Sequence, residues 1–174
     1  LTKALWALQN FNAKTIDWVV KANLNERELV NPVVTDTLAI GTEVVADSVK
    51  VYKIDGNIDV TSAFDISTAT PGELTVTANG TIDYAYRIEY TTDIVAVGTP
   101  ATKPTSFTNT AELKPEGELG VTTQATVTSP RGSTIAKSGR LVRADANNPY
   151  SDLYIIWTID YNTDEEFVSD LISD

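Results

Sequence analysis

Trp18 and Trp157 sit at the centre of two copies of one pattern, and this repeat constrains the fold more than any other feature of the chain. The first copy runs from Thr15 to Leu38 (TIDWVVKANLNERELVNPVVTDTL) and the second from Tyr154 to Asp174 (YIIWTIDYNTDEEFVSDLISD). Ile16 matches Ile155, Val20 matches Ile159, and an Asn follows each Trp five residues on, at Asn23 and Asn162. Each copy then reaches an Asp, Asp36 or Asp174, with one residue fewer in the second. A repeat of this length marks tandem modules. The expected organisation is a whole module over residues 1–132 and the first strands of a second, incomplete module over 133–174. The turn cluster Ser129-Pro130-Arg131-Gly132 marks the boundary.

The repeated segment alternates as a half-buried strand does. Ile16, Trp18, Val20 and Ala22 fall on one face, and Asp17, Val19 and Lys21 on the other. Thr2 to Leu8 favours a preceding extended stretch, with Leu5, Trp6 and Leu8 able to face a core, although Leu and Ala also suit a helix. Pro32 borders the next strand, VVTDTL, because a proline is poorly tolerated inside a central strand. Gly41 marks a turn, SVKVYKI (Ser48 to Ile54) alternates again, and Asp55-Gly56-Asn57 is a tight-turn signal leading into IDV, with a meander of strands to follow. Pro71-Gly72 marks a turn, LTVTA (Leu74 to Ala78) a short strand, and Asn79-Gly80 a hairpin. Ile82 to Ile94 reads as the longest strand, with Ile82, Tyr84, Tyr86, Ile88 and Tyr90 sharing a face. After a loop over Gly98 to Thr105, strands are expected at Phe107–Leu113 and Thr122–Thr128, and IAKSGRLVR opens the second module. Short strands at regular intervals read as an all-β sandwich.

Composition removes whole classes of chemistry. The 174 residues contain no Cys, His or Met, which excludes disulfides, thiol catalysis, His-based metal sites and Ser-His-Asp triads. Thirteen Lys and Arg against twenty-four Asp and Glu give a net charge of -11, which repels phosphate backbones and anionic lipid, so nucleic acid is not an expected partner. No apolar run approaches a membrane span, and LTKALWALQN lacks the form of a signal peptide, so the expectation is either a chain cut from a longer precursor or sorting signals that lie elsewhere.

A lysine on the first strand, I-x-W-x-V-x-x-N, then V-T-D-T-L, S-V-K-V-Y, R-I-E-Y-T-T and T-N-T-A occur in this order. Together they resemble the immunoglobulin-like modules of Gram-positive surface adhesins and fimbrial proteins, of the collagen-adhesin and fimbrial D2 types, over nearly all of residues 1 to 130. The resemblance implies an all-β immunoglobulin-like sandwich holding an intramolecular Lys-Asn isopeptide bond promoted by an aspartate. Carried over, the lysine is Lys3, the aspartate Asp36 and the asparagine Asn109. Lys137 and Asp174 are the second-module equivalents of Lys3 and Asp36, with the lysine-to-Trp spacing lengthened from 15 to 20 residues.

The chemistry needs these residue types. An amine attacks an amide only when unprotonated, and burial near Trp6 and Trp18 favours that neutral form. The same burial favours a protonated Asp36, able to polarise the Asn109 carbonyl and shuttle protons as ammonia leaves. Condensation leaves a neutral amide in place of buried polar groups, and contact makes the step effectively unimolecular. It happens once, so it is maturation and not turnover. Read without the resemblance, Lys3 is a solvated charge, Asp36 a strand-end or turn residue, and Asn109 a partner for backbone groups at a strand end.

Other candidates have structural readings. Asn23 and Asn162 suit loop-backbone bonding. Tyr84, Tyr86 and Tyr90 read as core or sheet-face aromatics in preference to a sugar platform. Asp55, Asn57 and Asp59 suit a hairpin turn better than a calcium loop, and Glu165-Glu166 a solvated face. The expectation is therefore a structural repeat module of an extracellular, cell-surface adhesin or pilus-like stalk, anchored to the cell wall through a region outside these residues. It needs no cofactor and no metal, and its partners are the neighbouring modules of the same chain. The alternative is a module binding a host matrix protein such as collagen, or a glycan, and a third class is an enzyme accessory domain.

Overall fold

The computed structural model describes residues 12–95, 105–131 and 135–161. The expected first strand with Lys3 and Trp6, and the terminal stretch with Asn162, Glu165, Glu166 and Asp174, lie outside the described residues. Those described form two units, one of residues 13–95 with 105–129, the other of residue 12 with 130–131 and 135–161.

The larger unit is built from β1 (Thr15–Ala22), β2 (Val33–Thr37), β3 (Thr42–Val44), β4 (Lys50–Lys53), β5 (Ile58–Asp59), β6 (Phe64–Ser67), β7 (Glu73–Ala78), β8 (Tyr86–Ile94), β9 (Ser106–Lys114) and β10 (Val121–Thr128). One antiparallel sheet runs β1-β8-β4-β5, with β3 also on β8; the other runs β10-β9-β2-β7-β6. Their inner faces share one core, in which Ile16, Trp18, Val51, Tyr86, Ile88 and Tyr90 of the first sheet meet Val34, Leu74, Val76 and Phe107 of the second. This is the all-β sandwich read from the alternation. Burying one face of each strand is what pins its register, since a slip of one residue would turn the apolar set outward.

Three local readings need correction. Asn79-Gly80 does not close a hairpin: β7 belongs to the second sheet and β8 to the first, so this turn carries the chain across the sandwich. Ile82, within that crossing, pairs only with Leu29 as an isolated bridge, and β8 begins at Tyr86, not Ile82. The alternation does not run unbroken from Ile82 into β8, since Ala85 and Tyr86 are both buried and Tyr84 only half-buried, and turn residues signal a reversal but not which partner lies beyond it. Likewise the segment after β4 is not a meander, since β5 stays in the first sheet while β6 and β7 hairpin in the second. Asp55–Asn57 forms a short 3-10 turn with Gly56 at φ 73°, the left-handed region that favours glycine.

The smaller unit contains a hairpin of β11 (Ile135–Arg143) and β12 (Leu153–Tyr161). Gly139 lies opposite Trp157, whose indole covers it so closely that a Cβ at Gly139 would sit 2.6 Å from Cζ3. Lys137 Nζ lies 4.5 Å from the Trp157 ring centre, a cation–π contact. The repeat thus appears in two environments: Trp18 is 6% exposed with a second sheet over it, and Trp157 is 58% exposed on its hairpin.

Candidate functional site

Period-two geometry carries three polar side chains into the core. On β2 the inward positions are Val34 and Asp36; on β9 they are Phe107, Asn109 and Ala111; on β8 they are Tyr86, Ile88, Tyr90 and Thr92. Asp36 lies opposite Ala111, so Asn109 is its diagonal neighbour two residues along β9, within side-chain reach. Tyr90 reaches them from the facing sheet. Asn109 lies within β9 and Asp36 one residue from the end of β2, and both are buried.

The Tyr90 hydroxyl joins them. It donates to Asp36 Oδ2 at 2.6 Å and accepts from Asn109 Nδ2 at 2.5 Å. The other oxygen of each group, Asp36 Oδ1 and Asn109 Oδ1, is buried with no hydrogen-bond partner among the described residues. Burial pushes the Asp36 carboxyl above the usual carboxylate range, with the Tyr90 hydrogen bond opposing it in part. Burial also raises Tyr90, reinforced by its bond to Asp36 and by that carboxyl's charge. The site thus holds a carboxyl biased toward its protonated form beside an amide.

A cavity of about 290 Å³ adjoins these groups, lined by Trp18, Val20, Asp36, Tyr90, Asn109 and Thr123 among others. It lies between β1 and β10, the outer strands of the two sheets. Trp18 is held on its rim by Nε1 donating to Thr92 Oγ1 at 3.0 Å. A second hollow of about 420 Å³ shares Val20, Lys21, Ala111 and Thr123 with the first and continues along Leu24, Leu29, Leu113 and Leu119.

The structure therefore brings Asp36 and Asn109 together, while Lys3 and Asp174 lie outside the described residues and Lys137 stacks on Trp157. Asn23 takes the structural role expected, its Nδ2 donating to the carbonyls of Arg27 and Tyr84. Tyr86 and Tyr90 are core aromatics and Tyr84 is half-buried. Asn57 accepts from Arg87, and no acidic cluster suited to a metal occurs among the described residues. Sequence reading missed Tyr90 as a member of the site. Its only signal was a phenol at an inward position, where a hydroxyl needs a partner.

Among solved structures, the chain is similar to the collagen-binding subdomain of the Enterococcus faecalis surface protein ACE, at 14% identity and a TM-score of 0.46, covering 66% of this chain and 86% of that one. The collagen-binding domain from a Staphylococcus aureus adhesin gives 13% identity and a TM-score of 0.46, over 66% of this chain and 88% of that one. BcpA, the major pilin subunit of Bacillus cereus, gives 13% identity and a TM-score of 0.49, over 84% of this chain and 50% of that one. No curated protein matches the sequence. The model of one family, the collagen binding domain, matches residues 1–118, a span that includes Lys3, Asp36 and Asn109. With that match over more than half its length, the chain belongs to the collagen-binding domain family.

Proposed function

We propose that this chain is a module of a Gram-positive cell-surface adhesin or pilus-like stalk whose sandwich is clamped by an amide between Lys3 and Asn109, formed with the help of Asp36. One observation carries the reading: two buried acceptors, Asp36 Oδ1 and Asn109 Oδ1, have no partner among the described residues beside a cavity at the Asp36–Tyr90–Asn109 cluster. Buried polar groups are almost always paired, so the cluster is suited to an incoming donor. A lysine amine supplies one. Nζ attacks Asn109 Cγ, the Cγ–Nδ2 bond breaks, ammonia leaves, and the new amide N–H can donate to Asp36 Oδ1. The reaction occurs once per molecule, which makes the protein a load-bearing element and not an enzyme. Pulling on the module would then load a covalent link between Lys3 and β9 in place of strand hydrogen bonds. In this reading residues 133–174 open a second module, with Lys137 and Asp174 in the roles of Lys3 and Asp36, and the protein works outside the cell beside further modules of its own chain.

Intact mass with peptide mapping tests the clamp on wild type and on Lys3→Ala, Asp36→Ala and Asn109→Ala. A wild-type mass short by one ammonia, joined Lys3 and Asn109 peptides, and no deficit in any variant are the expected results. A full mass with unjoined peptides would sink the reading.

Family membership favours a second reading, in which the module binds collagen or another host matrix protein. The hollow flanked by Leu24 and Leu119, which are 65% and 91% exposed, is the surface suited to it. Binding to an immobilised triple-helical peptide that weakens in Leu24→Asp and Leu119→Asp would support it, and no binding by wild type would exclude it.

A further inference from the structure

We propose that the Tyr90 hydroxyl is the proton relay of the cross-linking step, carrying a proton from the Asp36 carboxyl to the departing nitrogen of Asn109. The inference rests on the clamp reading above and adds a residue and a direction to it. Tyr90 occupies one side of both reacting partners, since its hydroxyl touches Asp36 Oδ2 and Asn109 Nδ2 at once. The opposite atoms, Asp36 Oδ1 and Asn109 Oδ1, are the ones left without partners among the described residues. The cluster is therefore divided into a leaving-group side held by the phenol and an unpaired side suited to the amine.

The division has a chemical consequence. An amide nitrogen is a poor leaving group until it is protonated, and Asp36 makes no hydrogen bond to Nδ2. A hydroxyl both donates and accepts, so it can bridge the gap. The neutral lysine nitrogen adds to Cγ, and the carbonyl π electrons move onto Oδ1. The nitrogen Nδ2, no longer conjugated, becomes an acceptor, and the Tyr90 hydroxyl turns to donate to it. As the phenolic proton passes to Nδ2, the Asp36 proton on Oδ2 passes to the phenolic oxygen. The electron pair on Asn109 Oδ1 re-forms the carbonyl, the Cγ–Nδ2 bond breaks, and ammonia departs. Asp36, now a carboxylate, takes the surplus proton of the former amine on Oδ1. Acid and phenol are both regenerated, and the balance is one amine plus one amide giving one secondary amide plus ammonia.

The test is the rate of cross-linking when chains made by chemical synthesis, and so never yet folded or joined, are folded by dilution, read as joined Lys3–Asn109 peptide against time for wild type and Tyr90→Phe. Near-UV circular dichroism checks that the variant folds. Positioned acid–base groups contribute about 10²–10⁴-fold, so Tyr90→Phe should join at least about a hundredfold more slowly. Wild type should also be markedly slower in D2O because two protons move together, and the residual rate of Tyr90→Phe should lose that isotope sensitivity, which a purely structural loss would leave in place. Joining of folded Tyr90→Phe at the wild-type rate would overturn the relay while leaving the clamp intact. Wild type that never joins would overturn the clamp, and the relay with it. If Tyr90→Phe does not fold, the isotope effect on wild type decides, and its absence refutes the relay.

Discussion

Tyr86 and Tyr90 lie on the same face of β8 with Ile88 between them, yet removing the hydroxyl from each should shift stability in opposite directions. Tyr86 is 0% exposed, and its hydroxyl has no hydrogen-bond partner among the described residues. Leaving a buried polar group unpaired costs about 1–3 kcal/mol. Tyr86→Phe removes that cost while keeping the ring, whose centre lies 5.3 Å from Phe64 and 6.4 Å from Tyr84. The variant should therefore gain about 1 kcal/mol or more. Tyr90→Phe does the reverse, stripping the partner from both Asp36 Oδ2 and Asn109 Nδ2. Two orphaned groups at about 1–3 kcal/mol each, partly relieved by relaxation, give a loss of roughly 2–4 kcal/mol. The comparison is made in a Lys3→Ala background, so that no cross-link can mask either effect. Urea unfolding is the assay: with slopes of about 1–3 kcal/mol/M, a gain of about 1 kcal/mol raises the midpoint by roughly half a molar. Equal destabilisation by both substitutions, with unchanged slopes, would refute the reasoning, because it would mean that the Tyr86 hydroxyl is paired as well as that of Tyr90.

Thr92→Val keeps side-chain volume but removes the acceptor for Trp18 Nε1, and should cost about 1–3 kcal/mol by urea unfolding; a Trp18→Phe, Thr92→Val double variant should recover part of it. The Asp36 carboxyl, raised in the fold by burial, binds a proton in the folded state over a pH range where the unfolded chain has lost it. In the Lys3→Ala background stability should therefore fall as pH rises from the ordinary carboxylate value of 3.8 through the raised folded value, and Asp36→Asn should flatten that component. A pH titration of the urea midpoint for both proteins checks the sign, and a rise with pH attributable to Asp36 would contradict it. If Lys3 and Asn109 are joined, the link closes a loop of about a hundred residues, worth roughly 4–5 kcal/mol by analogy with disulfides. Lys3→Ala and Asn109→Ala should then lower the thermal midpoint together, and calorimetry showing neither shift would count against the clamp.

Much of the fold was legible because strands write a two-residue period into the chain. In TIDWVVKA the apolar residues of one face, Ile16, Trp18 and Ala22, are buried and Val20 is half-buried. Asp36 and Asn109 were named through the family resemblance, and the structure puts each two residues after a buried apolar residue, on the same inward face. Asn79-Gly80 was misread because a turn signal is local, whereas the destination of the strand beyond it is set by pairing with residues distant in sequence. Tyr90 was missed for the same reason. Its hydroxyl meets Asp36 across 54 positions of sequence, a relation no local pattern records.

The sequence by itself determined the strand class, the inward face of β1 and of β8, the repeat around Trp18 and Trp157, and the absence of thiol, imidazole and disulfide chemistry. These follow from side-chain identity and backbone period, which act over a few residues. Only the tertiary structure decided which strands share a sheet, that Asp36 and Asn109 share one phenol, and that each keeps one unpaired oxygen among the described residues. The physical reason is that pairing and desolvation are properties of the assembled core: a carboxyl becomes a buried acid only when two sheets close over it.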